Sequence, residues 1–383
     1  MLYRGCRTYT RFQSTEAARV LKDQHFSHIL DGKAPNFLQE QGSDTRVIVG
    51  KEKQPLDFNY FLFHLEKFKK MSDLPTGFGR NQLHESLKDK EKTNELLIDI
   101  KSRFEDIDYS FGYGSKIFSQ GSKVDVSNSQ IDMIYAVTDT KAWHEKNLAK
   151  NGNDYSFLKY LGINSIKKIG ELGAGVYFNP YINVALKNGK EIELKYGVTS
   201  IDALRRDLQN WETLYMAGRL HKPVAIIDNN PQLSILNQFN LTNAVKLALL
   251  LHDGRTISEK ELFLIIASLS YMGDPRMKVN GENPDKIKNI VDNQFDLFQK
   301  LYKPIFKFIP HLIELESSGV TGKVFKVKLN EENVGRTLLE LPSSFRARFF
   351  ENYPSIEDPV VNNIDNDLTS LKKLAYNELK EIG

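Results

Sequence analysis

A glycine–serine pair, followed by an aspartate in the next apolar run, is the residue pattern with the clearest chemistry in this chain. The alternating segment from Tyr109 ends in Gly114-Ser115, and a polar loop leads to Asp132 among apolar neighbours. Glycine has no Cβ and lets backbone amides approach a phosphate, while a carboxylate supplies the oxygen ligands of Mg²⁺. The pattern predicts a site for a polyphosphate and Mg²⁺; an ordinary strand–turn–strand unit is the alternative.

A β-hairpin further along the chain predicts more charged groups for the same cleft. Asn188-Gly189 is typical of a type I′ turn, and the strand that returns at 191–198 alternates charged and apolar residues. Period two places Glu191, Glu193 and Lys195 on one face. Beside the Asp132 strand, this face would offer two carboxylates and an ammonium group to the cleft. Alternatively, the three side chains form the solvent face of the hairpin, which is the better interpretation for Glu191.

Further cations and one aromatic ring complete the candidate residues. Arg219 and Lys222 lie in a short turn before an apolar strand predicted at 223–227, where both would hold a phosphate. Arginine can bind a phosphate in a bidentate way. Tyr155 lies in a polar stretch, and its ring would either stack on a nucleotide base or pack inside the protein.

The composition excludes several classes of protein. The chain has 383 residues, 26% of them charged, and its formal net charge of +3 is too small to argue for nucleic-acid binding by itself. A single cysteine, Cys6, excludes a disulfide framework and a cysteine-based zinc site. Because no apolar run approaches the roughly 20 residues of a transmembrane helix, membrane contact is expected only at a bilayer surface.

Hydrophobic periodicity predicts a mixed domain at 55–225 and a mainly helical domain at 226–330. A hairpin is expected at 318–329. The predicted helices cover approximately 57–68, 81–104, 139–150, 200–218, 232–251, 258–272, 284–301 and 304–315.

The two ends of the chain predict targeting and membrane contact. Residues 1–20 are rich in arginine with Glu16 as the only acid, which is typical of a mitochondrial transit peptide or of a disordered basic tail. In the C-terminal segment, 331–383, the stretch Leu341–Phe350 pairs arginines with aromatic rings. Such a stretch suits an anionic membrane surface, and a segment that packs between domains is the alternative.

Taken together, these residues resemble the mitochondrial phosphatidate cytidylyltransferases over roughly residues 55–305. The order and spacing of the matching stretches are specific to that family. The stretches are Phe111-Gly-Tyr-Gly-Ser115, Ile131-Asp132, Ala142-Trp-His144 with Asn147, Tyr155-Ser156, Gly173-Ala-Gly-Val-Tyr-Phe-Asn179, Lys195-Tyr-Gly-Val198, Ala217-Gly-Arg-Leu-His-Lys-Pro-Val224, Ser270-Tyr-Met-Gly-Asp-Pro-Arg276 and Gly281-Glu-Asn283 before Lys286.

The resemblance implies an α+β fold: a polymerase-β-type nucleotidyltransferase domain, a winged-helix-like helical domain and a C-terminal membrane-contacting segment. It implies Mg²⁺-dependent transfer of CMP from CTP to phosphatidic acid, with release of pyrophosphate, as an early step towards cardiolipin. The implied place is the matrix side of the inner mitochondrial membrane, with an anionic membrane surface and no nucleic acid as partner. Gly114 and Ser115 would cradle the triphosphate, Asp132 would bind the metal, and Lys195 would contact phosphate.

Gln130 departs from the general nucleotidyltransferase pattern, which has two acids one residue apart on this strand. A second carboxylate must come from elsewhere, and Glu193 is better placed for it than Asp139, which is expected to begin a helix. Two other functions stay open. An enzyme that extends RNA would need a basic groove with stacking aromatics, and a catalytically silent membrane-associated assembly factor would tolerate Gln130.

Overall fold

The computed structural model describes residues 46–49, 52–55, 90–114, 117, 130–271, 285–319, 322–330, 333–334, 337–338 and 340–352, with the backbone alone given for 46–55, 90–94 and 348–352. The predicted transit peptide and the helix expected at 57–68 lie outside these residues. The strands are β1 (Arg46–Val49), β2 (Glu52–Pro55), β3 (Tyr109–Tyr113), β4 (Gln130–Val137), β5 (Val176–Ala185), β6 (Glu191–Ser200), β7 (Ala225–Asp228), β8 (Thr256–Ser258), β9 (Ile313–Gly319) and β10 (Gly322–Val327). The α-helices are α1 (Lys90–Lys101), α2 (Thr140–Asn151), α3 (Ile163–Gly170), α4 (Ile201–Asn210), α5 (Tyr215–Leu220), α6 (Pro231–Leu251), α7 (Glu259–Ser268), α8 (Lys286–Asn293), α9 (Phe295–Phe308) and α10 (Ser343–Asn352).

A mixed five-stranded sheet with the order β5-β6-β4-β3-β7 forms the first part of the molecule. The central pair β4 and β6 is parallel, and the other neighbours are antiparallel. The register sets Asp132 opposite Tyr113 on one side and opposite Lys195 on the other. The strand predicted after Asn188-Gly189 lies beside the Asp132 strand, although the turn is not of type I′, because Gly189 has a positive φ and Asn188 does not. An α+β architecture is confirmed.

The two faces of this sheet bury different cores. Phe111 and Ile134 face the side covered by α4, α5 and α6, and this core continues into the helical part of the chain. Met133 and Leu194 face the opposite side, where they pack with side chains of α1 and α2. The boundary predicted after residue 225 falls inside β7, which pairs with β3 and so belongs to the sheet.

The second part combines α6–α9 with a small antiparallel sheet of order β8-β10-β9. The hairpin predicted at 318–329 is confirmed, although its first strand begins earlier, at Ile313. The prediction that a new helix begins at Pro304 is wrong, because Pro304 lies inside α9. The buried face of α9, with Leu301 before the proline and Ile305 after it, continues across that position.

The helix predicted at 200–218 is two helices, because the chain turns sharply between α4 and α5. Trp211 and Leu214 have left-handed backbone conformations, with φ of 55° and 57°. The buried carboxylate of Asp207 accepts hydrogen bonds across this turn from the amides of residues 213, 214, 216 and 217 and from the Thr213 hydroxyl. A carboxylate also suits the N-terminus of a helix such as α5. Asp207 therefore fixes the direction of α5 relative to α4.

The described part of the C-terminal segment packs against the protein. Leu341 and Phe345 are fully buried, and the Phe345 ring meets the Trp211 ring edge-on at 6.1 Å between centroids. For these residues the membrane-contacting interpretation is wrong and the packing alternative is correct, because a ring inside the core cannot enter a bilayer. Among the described residues, no helix has both the length and the apolar character to cross a membrane.

Replacing Asp207 by Asn is expected to lower the free energy of unfolding by about 3 kcal/mol, since hydrogen bonds to a charged acceptor contribute about 1.5–3 kcal/mol each. The amide group of Asn has one acceptor oxygen and directs N–H groups at backbone donors. Urea unfolding followed by circular dichroism measures the change.

The control is Asp202→Asn on the same helix, where the exposed carboxylate pairs with Arg205. That change is expected to cost less than about 1 kcal/mol. Equal losses for the two variants would show that the Asp207 turn does not hold α5.

Candidate functional site

Asp132 lies on the face of β4 that α5 covers, directly across from Lys195 on β6. The Lys195 Nζ is 3.9 Å from the Asp132 Oδ1, and both side chains are about one-third exposed, at 34% and 27%. The Lys195 ammonium also lies 5.1 Å from the centre of the Phe178 ring. The structure thus brings the predicted metal ligand and the predicted phosphate contact together at a surface that a ligand can reach.

The turn after β3 runs close beside the Asp132 carboxylate. Gly114 has a φ of +95°, and a Cβ built there would lie 3.3 Å from the Asp132 Oδ2. Glycine is favoured by both facts, because it adopts this conformation at little cost and leaves room at the carboxylate. Ser115 lies outside the described residues, so its predicted role in holding phosphate stays a prediction.

Arg219 reaches the same area from α5. Its guanidinium lies 4.0 Å from the Tyr113 ring centre and 5.2 Å from the Tyr215 ring centre. The Arg219 Nε is buried and donates no hydrogen bond to any residue that the structure describes. The cation is therefore held by aromatic faces, and its Nε has no acceptor among these residues.

Two lysines border the cluster on the side of the helical part. The Lys222 Nζ donates to the Gly218 carbonyl and to the Ser270 hydroxyl, both at 2.7 Å. Burial, together with repulsion from Arg219 and Lys286, lowers the pKa of Lys222 well below its usual value. An anion beside this ammonium group would favour its protonated form. The sequence prediction that Lys222 lies near a phosphate site is thus compatible with its surroundings.

The Asp132 carboxylate is poorly compensated despite these cations. Burial raises its pKa above the usual value, while Lys195, Arg219 and Lys286 act to lower it without cancelling the effect of burial. A cation close to Asp132 would offset this cost. The residue therefore fits the predicted role of a metal ligand.

Glu193 shares a strand face with Lys195, but its carboxylate already has a partner. Gln130 donates its side-chain amide to the Glu193 Oε1 at 2.9 Å, across the paired strands. Within the described part of the chain, no three His, Cys, Asp or Glu side chains gather in a way that would hold a metal ion. Metal ligation by Glu193 stays a prediction, and the exposed Glu191 confirms the solvent-face interpretation for that residue.

Tyr155 does not join the cluster. Its ring is buried against Tyr177, and its hydroxyl accepts from Asn147 at 2.9 Å and lies 2.7 Å from the His144 Nδ1. Asn147 also donates to the hydroxyl of Tyr196, which points to the face of β6 opposite Lys195. Stacking of Tyr155 on cytosine is therefore not supported, and packing inside the protein is the better interpretation.

A cavity of about 400 Å³ lies near the C-terminal end of β6, bordered by His144 of α2, Ile166 of α3 and Ala203 of α4. Asp132, Lys195, Arg219 and Lys222 do not line it. The cavity is thus separate from the cluster of Asp132 and the cations.

The sequence patterns did not predict a functional role for several residues of the cluster. Tyr113 and Tyr215 support Arg219, and Lys286 lies 5.6 Å from the ring centre of Tyr271. Tyr113 and Lys286 stand inside or beside the family stretches, so a signal was present. That signal does not give the direction of the side chains, which depends on how the helices pack in the folded protein.

Comparisons with known proteins agree with the resemblance. A family model described as "Phosphatidate cytidylyltransferase, mitochondrial" matches residues 97–381. A protein of that name from Saccharomyces cerevisiae is 41% identical over 291 residues, 75% of this chain and 71% of the relative. The protein of the same name from Schizosaccharomyces pombe is 36% identical to this chain over 271 residues, which are 68% of this chain and 67% of the relative. The human protein of the same name is 39% identical over 275 residues, 70% of this chain and 58% of the relative.

The buried His144 predicts a measurable acid sensitivity. Burial lowers its pKa from 6.5 to about 4, so the unfolded chain binds this proton at a higher pH than the folded protein does. Stability is therefore lost as the pH falls from 6.5 towards 4, by up to about 3 kcal/mol. His144→Gln is expected to reduce this loss, measured as urea unfolding free energies at pH 7 and pH 4.5.

The exposed His311 provides the control, because His311→Gln also removes one imidazole. Curves for wild type and His144→Gln that stay parallel between the two pH values would contradict a neutral, buried His144.

Proposed function

Because the chain belongs to the mitochondrial phosphatidate cytidylyltransferase family, we propose that it transfers CMP from CTP to phosphatidic acid and releases pyrophosphate. The observation that carries this proposal is the carboxylate of Asp132 at the Gly114 turn, with Lys195 and Arg219 beside it. The proposed setting is the matrix side of the inner mitochondrial membrane, where the product would lead towards cardiolipin. Residues 1–20 would direct the chain there.

The balance of charge in the cluster suits this reaction. Both substrates are anions, and phosphoryl transfer depends mainly on positioning and on neutralising charge. Lys195, Arg219 and Lys222 would hold phosphate oxygens, and Asp132 is the carboxylate that lies beside Lys195. The attacking group is already a phosphate oxygen, so the reaction requires no general base.

Asp132 is the residue that would hold Mg²⁺. Its carboxylate oxygens are suitable ligands for a hard cation, and the raised pKa of Asp132 shows that its charge lacks full compensation. When bound, the ion would screen the triphosphate and polarise its phosphoryl oxygens. Gly114 and Ser115 would hold the β- and γ-phosphates beside it, and Glu193 remains the candidate for a second ligand.

The architecture supports the finer assignment of the fold. We assign the five-stranded sheet to a polymerase-β-type nucleotidyltransferase domain, because its central strand β4 carries Asp132 next to a Gly turn. The small sheet β8-β10-β9 packed on α7 and α9 supports a winged-helix-like second domain. The domain ranges are then close to 55–228 and 229–330.

An assay with the full chain, CTP, Mg²⁺ and phosphatidate-containing vesicles tests the proposal. CDP-diacylglycerol is the expected product. Labelling of RNA in its place would favour the RNA-extending alternative, and no product from either substrate would favour the silent assembly factor.

Asp132→Asn is expected to lower kcat by about 10³-fold or more, because a lost metal contact removes several kcal/mol of transition-state stabilisation. The melting temperature should stay near that of the wild type, since the substitution removes a poorly compensated buried charge.

The control is Asp139→Asn, seven residues further on. Asp139 caps α2 through the amides of Lys141 and Ala142, and Asn keeps that cap. Equal losses of activity would contradict the assignment to Asp132.

Lys195→Met is expected to lower kcat/KM for CTP or phosphatidate at least about tenfold, because one charge-assisted phosphate contact is lost. Lys187→Met is the control, since Lys187 lies at the far end of the same hairpin with a side chain that is 77% exposed. Steady-state kinetics with each substrate varied in turn would show which phosphate Lys195 meets. Unchanged kinetics for Lys195→Met would remove it from the site.

A further inference from the structure

One continuous stretch of the described chain exposes several large apolar side chains. In residues 157–172, here called the 157–172 segment, Phe157 is 71% exposed, Tyr160 82%, Leu161 60% and Leu172 63%. Ile169 follows at 37%. Single exposed apolar residues are ordinary, whereas a contiguous set indicates an interaction surface.

The segment is well anchored, and its outward side chains are not needed for the core. A 3-10 helix at Phe157–Leu161 leads into α3, whose Ile166 is fully buried against Tyr155 and Tyr177. Leu158 and Ile163 are partly buried against the same cluster. Because Leu158, Ile163 and Ile166 hold the segment on this cluster, its exposed side chains are not needed to anchor it.

Lysines are interspersed with the exposed apolar side chains. The segment carries Lys159, Lys167 and Lys168, and Glu171 is its only acid. Glu171 pairs with Lys167 at 3.5 Å, and the Lys159 ammonium lies 5.4 Å from the Tyr160 ring centre. Cations next to aromatic and aliphatic groups match a surface of anionic headgroups above acyl chains.

We propose that the 157–172 segment is the surface through which this protein docks onto an anionic lipid bilayer. The choice of a bilayer rests on the proposed function, because phosphatidate is a membrane lipid, and on the charge complementarity of the lysines. The predicted C-terminal stretch is a weaker candidate, since Leu341 and Phe345 are buried. The segment packs on Tyr177 of the edge strand β5, which pairs with β6.

Sedimentation of the full-length protein with vesicles tests this proposal without reference to catalysis. The vesicles contain phosphatidylcholine with phosphatidate, or phosphatidylcholine alone. Tyr160→Ser/Leu161→Ser is expected to weaken binding to the phosphatidate vesicles at least about tenfold. Lys167→Gln/Lys168→Gln is expected to reduce the preference for phosphatidate vesicles.

The matched control is Ile98→Ser/Leu315→Ser, which removes two apolar side chains with exposures of 55% and 54% from separate positions. This variant should bind as the wild type does. Unfolding midpoints of all variants should agree, because the substituted side chains lie outside the core.

Activity separates the surface from the reaction. Tyr160→Ser/Leu161→Ser should lose turnover on vesicles and keep turnover on a detergent-dispersed, short-chain phosphatidate. Absence of product from the dispersed substrate in the wild type would count against the proposed function alone, since vesicle binding would still test the surface.

Three results would overturn the proposal: wild-type vesicle binding by the Tyr160/Leu161 variant, an equal loss in the control variant, or a change of oligomeric state in sedimentation velocity without a change in vesicle binding. The last result would assign the segment to contact with a second copy of the chain.

Discussion

The cationic side of the candidate site depends on one buried carboxylate, that of Asp207. The Asp207 carboxylate binds the amides at the start of α5 and thereby stabilises left-handed conformations at Trp211 and Leu214, which cost about 1 kcal/mol each. If α4 continued through this point as one helix, Arg219 would point in another direction and would not reach Tyr113. The sharp turn places the Arg219 guanidinium 4.0 Å from the centre of the Tyr113 ring, on the same face of the sheet as Lys195.

The way in which the cations are held supports the proposal that the site binds anions. Arg219 contacts aromatic rings and Lys222 donates to neutral oxygen atoms, and neither forms an ion pair with a carboxylate in the part of the chain that the structure describes. Asp132, for its part, lies at 3.9 Å from Lys195 and keeps a raised pKa. Under the proposed function, a polyphosphate bound together with a cation would neutralise both the cations and the carboxylate of this cluster.

Sequence patterns predicted the features that local rules determine. The Asn188-Gly189 turn and strand alternation predicted the hairpin and the strand face that carries Lys195, because the register between β5 and β6 follows from the turn. The parallel pairing of β6 with the Asp132 strand joins distant parts of the chain, so the turn does not determine it. The break before α5 was missed, since its cause is a carboxylate several residues away. Phe345 was misplaced because rings and arginines suit both a bilayer surface and a domain contact. Tyr155 was left open for the same reason: a ring's surroundings depend on tertiary packing.

Strand β6 connects the cluster around Asp132 with the 157–172 segment. Tyr196 donates its hydroxyl to Asp154, whose neighbours lead directly into the 3-10 helix at Phe157–Leu161, and the adjacent Lys195 points to the other side of the sheet. The distance between the two faces of a pleated sheet is fixed. If the exposed rings enter a bilayer, the sheet therefore sets the distance between the bilayer surface and the site that holds the nucleotide.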